Sequence, residues 1–532
     1  MGIEGFYNTI RVRKNSGITN QFINKTTANY LYIDFNSILH IIHKQTKTEM
    51  DYILYYLVSH DKKEDKDEKD KYKDKEKENK NKEDKDDELI KGFAIEWGFD
   101  INNASIKDYN QFFTPELINK HVRTLTINYI QTLIKTYTDS NSLKLVYIAF
   151  DGIPNMGKII EQKHRKYMGY VQSGLTKKIY EKYKNSLSEK RQLFEENAKS
   201  FDRSNLVTWS SFMKLMLDEI KDTAWVKTLH NYKFELKVSG SDYPGEGEKK
   251  IMEEIKIDIE GQKEGNYLLY SPDADVVLLS IVLNNISHLY NKNNKMFFDV
   301  LHYDQQENEN SLCDIDKFST YICELVKLED MKKSINIMND FVLIATLFGN
   351  DFVPKIYSIN IKKEFENILY VYAELVKNNQ FLVIPGVNIT SAFSINHENL
   401  VIFLKQVCNI EYKMHRNIFR MDLENNNNKF MDKRFIKDYI KENPIRQHLI
   451  DMNKGELTEY DENIIKMMRK FVDYEDMLGS NIKSEQSFES YLSNYYPSYL
   501  GVKTREEINM VNREYLNGLF WTFDFYFNKN DS

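Results

Sequence analysis

The chain has 532 residues, of which 41% are hydrophobic and 13% aromatic, and a formal net charge of −7. Such apolar content excludes a disordered protein and allows two or three domains around a large core. The acidic balance does not announce a nucleic-acid binder, but metal-binding carboxylates count as negative in such a tally while being neutralised in use. Three cysteines, Cys313, Cys323 and Cys408, lack metal-ligand spacing and exclude a disulfide framework or zinc site. The N-terminus, Met1 to Gly5, has no signal-peptide pattern, and Phe6 stands where myristoylation would want Ser or Thr. No apolar stretch reaches membrane-spanning length. The expectation is a soluble intracellular protein, in the cytoplasm, with nucleus and virion left open.

In chain order, the first strand-like run is Tyr30 to Ile33, which ends at Asp34. Residues 61–88 are nearly all Lys, Asp and Glu of mixed sign; they cannot bury apolar area and read as a disordered or loosely helical insertion. Further strand-like runs follow at Lys144 to Phe150 (then Asp151), Phe234 to Val238 and Tyr267 to Tyr270 (shortly before Asp273). Helix-like segments such as Phe212 to Ile220 and Lys249 to Ile255 fill the gaps. Strands alternating with helices predict an α/β fold with a mainly parallel sheet, whose ligands bind beyond the carboxyl ends of the strands. After about Pro354 the pattern turns mostly helical, as in Phe365 to Leu375, with a small loop expected at Asn425 to Asn428. The predicted division is a first region at 1–360 and a mostly helical second region at 361–532 packed against it.

Seven carboxylates stand out: Asp34, Asp151, Glu246, Glu248, Asp273, Asp275 and Asp351. Asp34 and Asp151 close strands. Glu246 and Glu248 follow the Pro244-Gly245 turn and open a helix. Asp273 and Asp275 lie before the apolar run Val276 to Leu279, two apart in what reads as an extended segment, so both point to one side. Asp351 follows Phe348-Gly349-Asn350. Each alone could be a turn or cap residue. Gathered in one place they would repel by ~4 kcal/mol per pair at ~4 Å and an effective dielectric near 20, so a fold that gathers them needs divalent cations. A dry acidic pocket holding metal is suited to cleaving phosphodiesters.

After Asp151 come Lys158, Gln162, Arg165 and Lys166. On a helix these fall within an arc of about 100° and make one face of three cations and an amide. That face suits a terminal phosphate, although an ordinary solvated basic face has the same pattern. His40 stands near the start of the helix after Asp34.

The segments Tyr32 to His40, Ala149 to Ile153, Ser239 to Ile251, Tyr270 to Asp275, and Asp340 to Val342 through Gly349 to Pro354 occur in one order that resembles the Xrn family of 5′→3′ exoribonucleases. The similarity covers residues 1 to about 360 and would make this a minimal, viral-type member. A weaker match, Tyr515 to Trp521, resembles the family's second region. The resemblance implies a PIN/FEN-like nuclease domain in which the seven acids hold two Mg2+ ions, with Mn2+ as a substitute. It implies that Lys158, Gln162, Arg165 and Lys166 read a 5′-monophosphate, and that His40 stacks on the first base. It implies a substrate of single-stranded RNA with a 5′-monophosphate, cut to 5′-mononucleotides by a monomer. Lys166 stands where the family usually has Arg, and Lys cannot grip phosphate bidentately. The loop Asn155-Met156-Gly157 lacks a family Arg, and the family's Trp-rich ending has no counterpart in this sequence. Two alternatives stay open: a flap-type DNA nuclease of related fold, against which Gly-Glu-Gly-Glu and Asp-Ala-Asp argue, and a noncatalytic RNA-binding scaffold, against which the intact acids argue.

Overall fold

A computed structural model describes residues 3, 5–19, 26–60, 76–293, 295–304, 309–327, 334–356, 359, 361–426, 430–453, 455–468 and 493–528. Its main sheet has seven strands: β1 (Ile18–Thr19), β2 (Tyr30–Asp34), β3 (Leu145–Ala149), β4 (Glu235–Ser239), β5 (Gly265–Tyr270), β6 (Met296–Asp304) and β7 (Glu309–Asp314). Their order is β1-β7-β6-β5-β2-β3-β4. Strands β2 to β6 run parallel, and β7 and β1 add an antiparallel edge. The expected α/β fold with a mainly parallel sheet is what forms. The four predicted strands match β2 to β5. Strands β6 and β7 escaped prediction because Asp299, His302 and Asp304 on β6, and Glu309, Asn310 and Ser311 on β7, break the apolar pattern.

Strand residues alternate between the two faces of the sheet. Tyr32, Tyr147, Leu269 and Val300 join one core with the helices Gly247–Glu260, Asp275–Tyr290, Ile315–Leu325 and Ser334–Thr346. Leu31, Ile33, Val146, Ile148 and Leu268 join the other with the helices Phe35–Ser59, Pro115–Tyr137 and Ser211–Lys221. The chain leaves β2 for β3 and β4 on one side, then returns to lay β5 and β6 on the other. The direction reverses between β2 and β5, which is where parallel sheets open a binding crevice.

Residues 61–75 of the charged insertion lie outside the described residues, but Glu76–Trp97 are helical. Of the two alternatives expected for 61–88, disordered or loosely helical, residues 76–88 take the helical one. Ile90, Ala94 and Trp97 bury the end of this helix in the core and give the charged run something to propagate from. The expected Asn425 to Asn428 loop is also shifted: the helix His397–Asn426 runs into it, and 427–429 lie outside the described residues. Among the described residues after Pro354 the chain is mostly helical, with the hairpin β8 (Val383–Asn388) and β9 (Ser391–Ile395). Buried Asp340 holds that hairpin by accepting from the backbone N–H of Leu382 (2.8 Å) and Val383 (2.7 Å). Residues Leu382, Phe393, Leu519 and Tyr526 share a core with the sheet. Among the described residues no helix is long and apolar enough to cross a membrane.

Candidate active site

The carboxyl ends of β2, β3 and β4 are level, with Asp34 opposite Ala149 and Ala149 opposite Ser239. Asp34 is the residue before the helix Phe35–Ser59, yet its side chain makes no capping bond there. It accepts instead from Ser271 Oγ (3.1 Å), and Ser271 Oγ in turn accepts from the N–H of Asp273 (3.2 Å). The Gly-Glu-Gly-Glu turn is brought to these strand ends by paired backbone bonds, Gly152 N–H to Gly245 O and Gly245 N–H to Ile153 O, each 2.8 Å. Gly152 is required for this approach, since a Cβ there would stand 1.7 Å from the carbonyl oxygen of Tyr243. Gly247 then donates its N–H to Asp151 Oδ1 at 2.7 Å. A Cβ on Gly247 would lie 2.7 Å from Asp34 Oδ1 and 3.5 Å from Asp151 Oδ1. One glycine thus separates the two strand-end acids.

The other acids close around the same point. Glu246 precedes its helix without a side-chain capping bond, and Glu248 sits in the first turn. Asp275 is the first residue of its helix and Asp273 lies in the preceding turn. This corrects the extended segment expected there; the chain turns into the Asp275–Tyr290 helix before a strand can form. Gly349 (φ 89°) and Asn350, whose Oδ1 accepts from the N–H groups of Phe352 and Val353, build the turn that carries Asp351. The helices starting at Phe35, Gly247 and Asp275 all present their positive ends to this cluster.

The electrostatics mark a single network. Burial, reinforced by neighbouring carboxylates, holds Asp34 and Glu248 well above the ordinary carboxylate range: Asp34 feels Asp151 and Asp273, and Glu248 feels Glu246, Asp273 and Asp275. Burial also raises Asp151, Glu246 and Asp275. Asp273 differs: burial pushes it up but neighbouring cations, Lys158 among them, bring it below the usual value. Lys158 is itself buried, and its Nζ stands 2.9 Å from Glu246 Oε1 and 2.5 Å from Asp351 Oδ2. Burial opposes its charge, but Glu246, Glu248 and Asp351 hold it firmly protonated.

The predicted basic face is therefore divided. Lys158 turns into the acids. Arg165 pairs with Glu161 and reaches to 3.9 Å from Asp351 Oδ2, Gln162 is half-buried, and Lys166 is exposed. His40 is exposed on the second turn of its helix, within electrostatic range of Asp151 and Arg165. As the side chains are placed, no group of three or more acids or imidazoles among the described residues encloses an ion. The donor set nevertheless fits a hard divalent cation, being all carboxylate oxygen and carrying far more negative charge than Lys158 offsets.

Several supporting residues were not singled out from the sequence. Lys250 Nζ donates to the carbonyls of Phe150 (2.7 Å) and Gly240 (2.8 Å), stitching the ends of β3 and β4 beneath the Gly247 helix. Glu161, the partner of Arg165, was readable from its i,i+4 spacing. Phe352, beside Asp351, packs edge-on against Trp521 and Phe525, each at 4.9 Å between ring centres. Nothing local marks those last contacts, because they join segments far apart in the chain.

The family described as "XRN 5′-3′ exonuclease N-terminus" matches residues 99–290, which include five of the seven acids and omit Asp34 and Asp351. A protein of Acanthamoeba polyphaga mimivirus, provisionally named a 5′-3′ exonuclease, is 25% identical over 470 residues, covering 66% of this chain and 73% of its own. The 5′-3′ exoribonuclease 1 of Schizosaccharomyces pombe is 24% identical and that of Homo sapiens 21%, each over 72% of this chain. The chain spans only 28% and 23% of the lengths of those two proteins. The ordered acids at the sheet's crevice and these matches point the same way: over residues 99–290 and beyond, the chain is similar to the Xrn family of 5′-3′ exonucleases.

Proposed function

We propose that this protein is a magnesium-dependent 5′→3′ exoribonuclease that removes 5′-mononucleotides from single-stranded RNA bearing a 5′-monophosphate. The observation that supports it best is the gathering of acids from five separate segments around Gly247, at the carboxyl end of a parallel sheet. In this reading Asp34, Asp151, Glu246, Glu248, Asp273, Asp275 and Asp351 hold two Mg2+ ions, for which Mn2+ can substitute. Bound there, such ions activate water and stabilise charge on the phosphoryl and leaving oxygens.

The chain's own residues do the rest. Lys158, Gln162, Arg165 and Lys166 take the terminal phosphate, and His40 holds the first base by stacking, which tolerates any sequence. Lys158, which neutralises Glu246 and Asp351 in the structure described, is the cation that substrate phosphate would share with them. Burial of the acids excludes bulk water from the reacting phosphate and strengthens every interaction with it. Cleavage leaves a 5′-phosphate on the shortened RNA, so each cycle recreates its own recognition mark. The protein would act as a monomer in the cytoplasm, with residues 1–360 carrying the chemistry and 361–532 closing its wall.

End-group analysis tests this. RNAs identical except for a 5′-monophosphate, triphosphate or hydroxyl are incubated with Mg2+, with a flapped DNA in parallel. The expected result is rapid release of mononucleotides from the monophosphate RNA alone, abolished by EDTA. Internal cuts, preference for flapped DNA, or no turnover of any substrate would defeat the proposal.

A further inference from the structure

The last described helix, Arg505–Phe527, touches the acid cluster at three points. Lys249, the residue after Glu248, donates to the carbonyl of Phe525 and lies 3.9 Å from the centre of its ring. Phe352, the residue after Asp351, packs edge-on against the stacked pair Trp521 and Phe525. The third contact reaches an acid itself: Tyr526, only 1% exposed, donates its hydroxyl to Asp275 Oδ2 at 2.5 Å across 251 residues of sequence. The other oxygen, Oδ1, accepts from the backbone N–H of Ile3 at 3.2 Å. Both oxygens of Asp275 are thus aimed by groups outside the cluster. A buried carboxylate so fixed has one orientation, and partners that orient a metal ligand contribute strongly to metal affinity.

We propose that Tyr526 is a positioning residue, whose hydroxyl sets the orientation in which Asp275 meets a divalent cation. The inference rests on the metal-binding reading above. The fold supplies its own control: Tyr372 donates to Asp340 Oδ2 at 2.6 Å, an equally buried tyrosine–aspartate bond on an acid outside the seven. Tyr526→Phe and Tyr372→Phe each delete one hydroxyl and keep the ring.

Mn2+ affinity is measured by electron paramagnetic resonance on the full chain, alongside melting temperature and the Mg2+ dependence of RNA hydrolysis. Tyr526→Phe is expected to weaken Mn2+ binding about 10-fold or more and to raise the Mg2+ needed for half-maximal rate in parallel. Tyr372→Phe is expected to lower the melting temperature while leaving Mn2+ affinity unchanged. Wild-type affinity in Tyr526→Phe, or equal weakening in both variants, overturns the inference alone. A wild-type protein without Mn2+ affinity overturns the metal reading and this inference with it. Tyr526→Met, which fills the space without a donor, repeats the measurement should the phenylalanine variant not fold.

Discussion

Asp273 and Asp275 test the metal reading most directly. Asp273→Ala or Asp275→Ala should lower RNA turnover about 1,000-fold, the equivalent of ~4 kcal/mol of lost transition-state stabilisation. The proteins should remain folded by circular dichroism, because removing one acid relieves repulsion among the rest. Unfolded variants with full turnover per folded molecule would make these acids structural. Arg165 tests recognition. Arg165→Ala should reduce the preference for 5′-monophosphate over 5′-hydroxyl RNA about tenfold, through loss of a charge-assisted contact. Initial rates on the two RNAs give the ratio, and an unchanged ratio removes Arg165 from the pocket. At this scale the sequence was informative where strand ends, turn glycines and acids coincide. It was less so for Lys158: helical spacing placed it on a face with Arg165, but only the packed site puts its ammonium between Glu246 and Asp351.

The helix Gly247–Glu260 owes its position to a glycine at its start. Gly247→Ala puts a methyl 2.7 Å from Asp34 Oδ1. Either the helix backs away from Asp151 or Asp34 turns aside, at a cost of roughly 1–3 kcal/mol. Activity should fall with only a modest drop in melting temperature; activity within twofold of wild type would mean that the close approach is dispensable. A second prediction concerns the β6–β7 ladder, where Asp299 faces Asp314 directly. Burial, then the Asp314 charge, raises Asp299 to about 7. A carboxyl whose folded pKa exceeds its unfolded value near ~4 contributes fully only below that value, and its contribution is lost as pH rises through about 7. Asp299→Asn should therefore stabilise the protein at pH 8 by roughly 1–2 kcal/mol and change it little at pH 4. Urea titrations at both pH values check the sign, and equal effects would contradict it. The same polar residues on β6 and β7 hid these strands from the sequence pattern, whereas β2 to β5, with uniformly apolar or alternating runs, were legible.

For the whole molecule, a cluster of seven acids only partly offset by buried lysines, Lys158 and Lys250 among them, should make the fold responsive to divalent cations. At about 100 times the dissociation constant, Mg2+ should stabilise the native state by ~2.7 kcal/mol per site. A thermal melt with Mg2+ and with EDTA measures this, and coincident curves would mean that the cluster does not bind the ion. Sequence alone determined the parallel α/β architecture, because the apolar period and the punctuation between runs are local properties. It singled out the candidate acids too, because each stands beside a strand end or a turn glycine, although the local conformation of Asp273 and Asp275 was decided by the helix starting at Asp275. Only the tertiary structure decided how those segments meet: β5 is laid beside β2, the Gly247 helix is docked through Gly152, and Tyr526 is brought onto Asp275 from the last helix. Such contacts join residues hundreds of positions apart and depend on how two cores pack around one sheet, which no local pattern encodes.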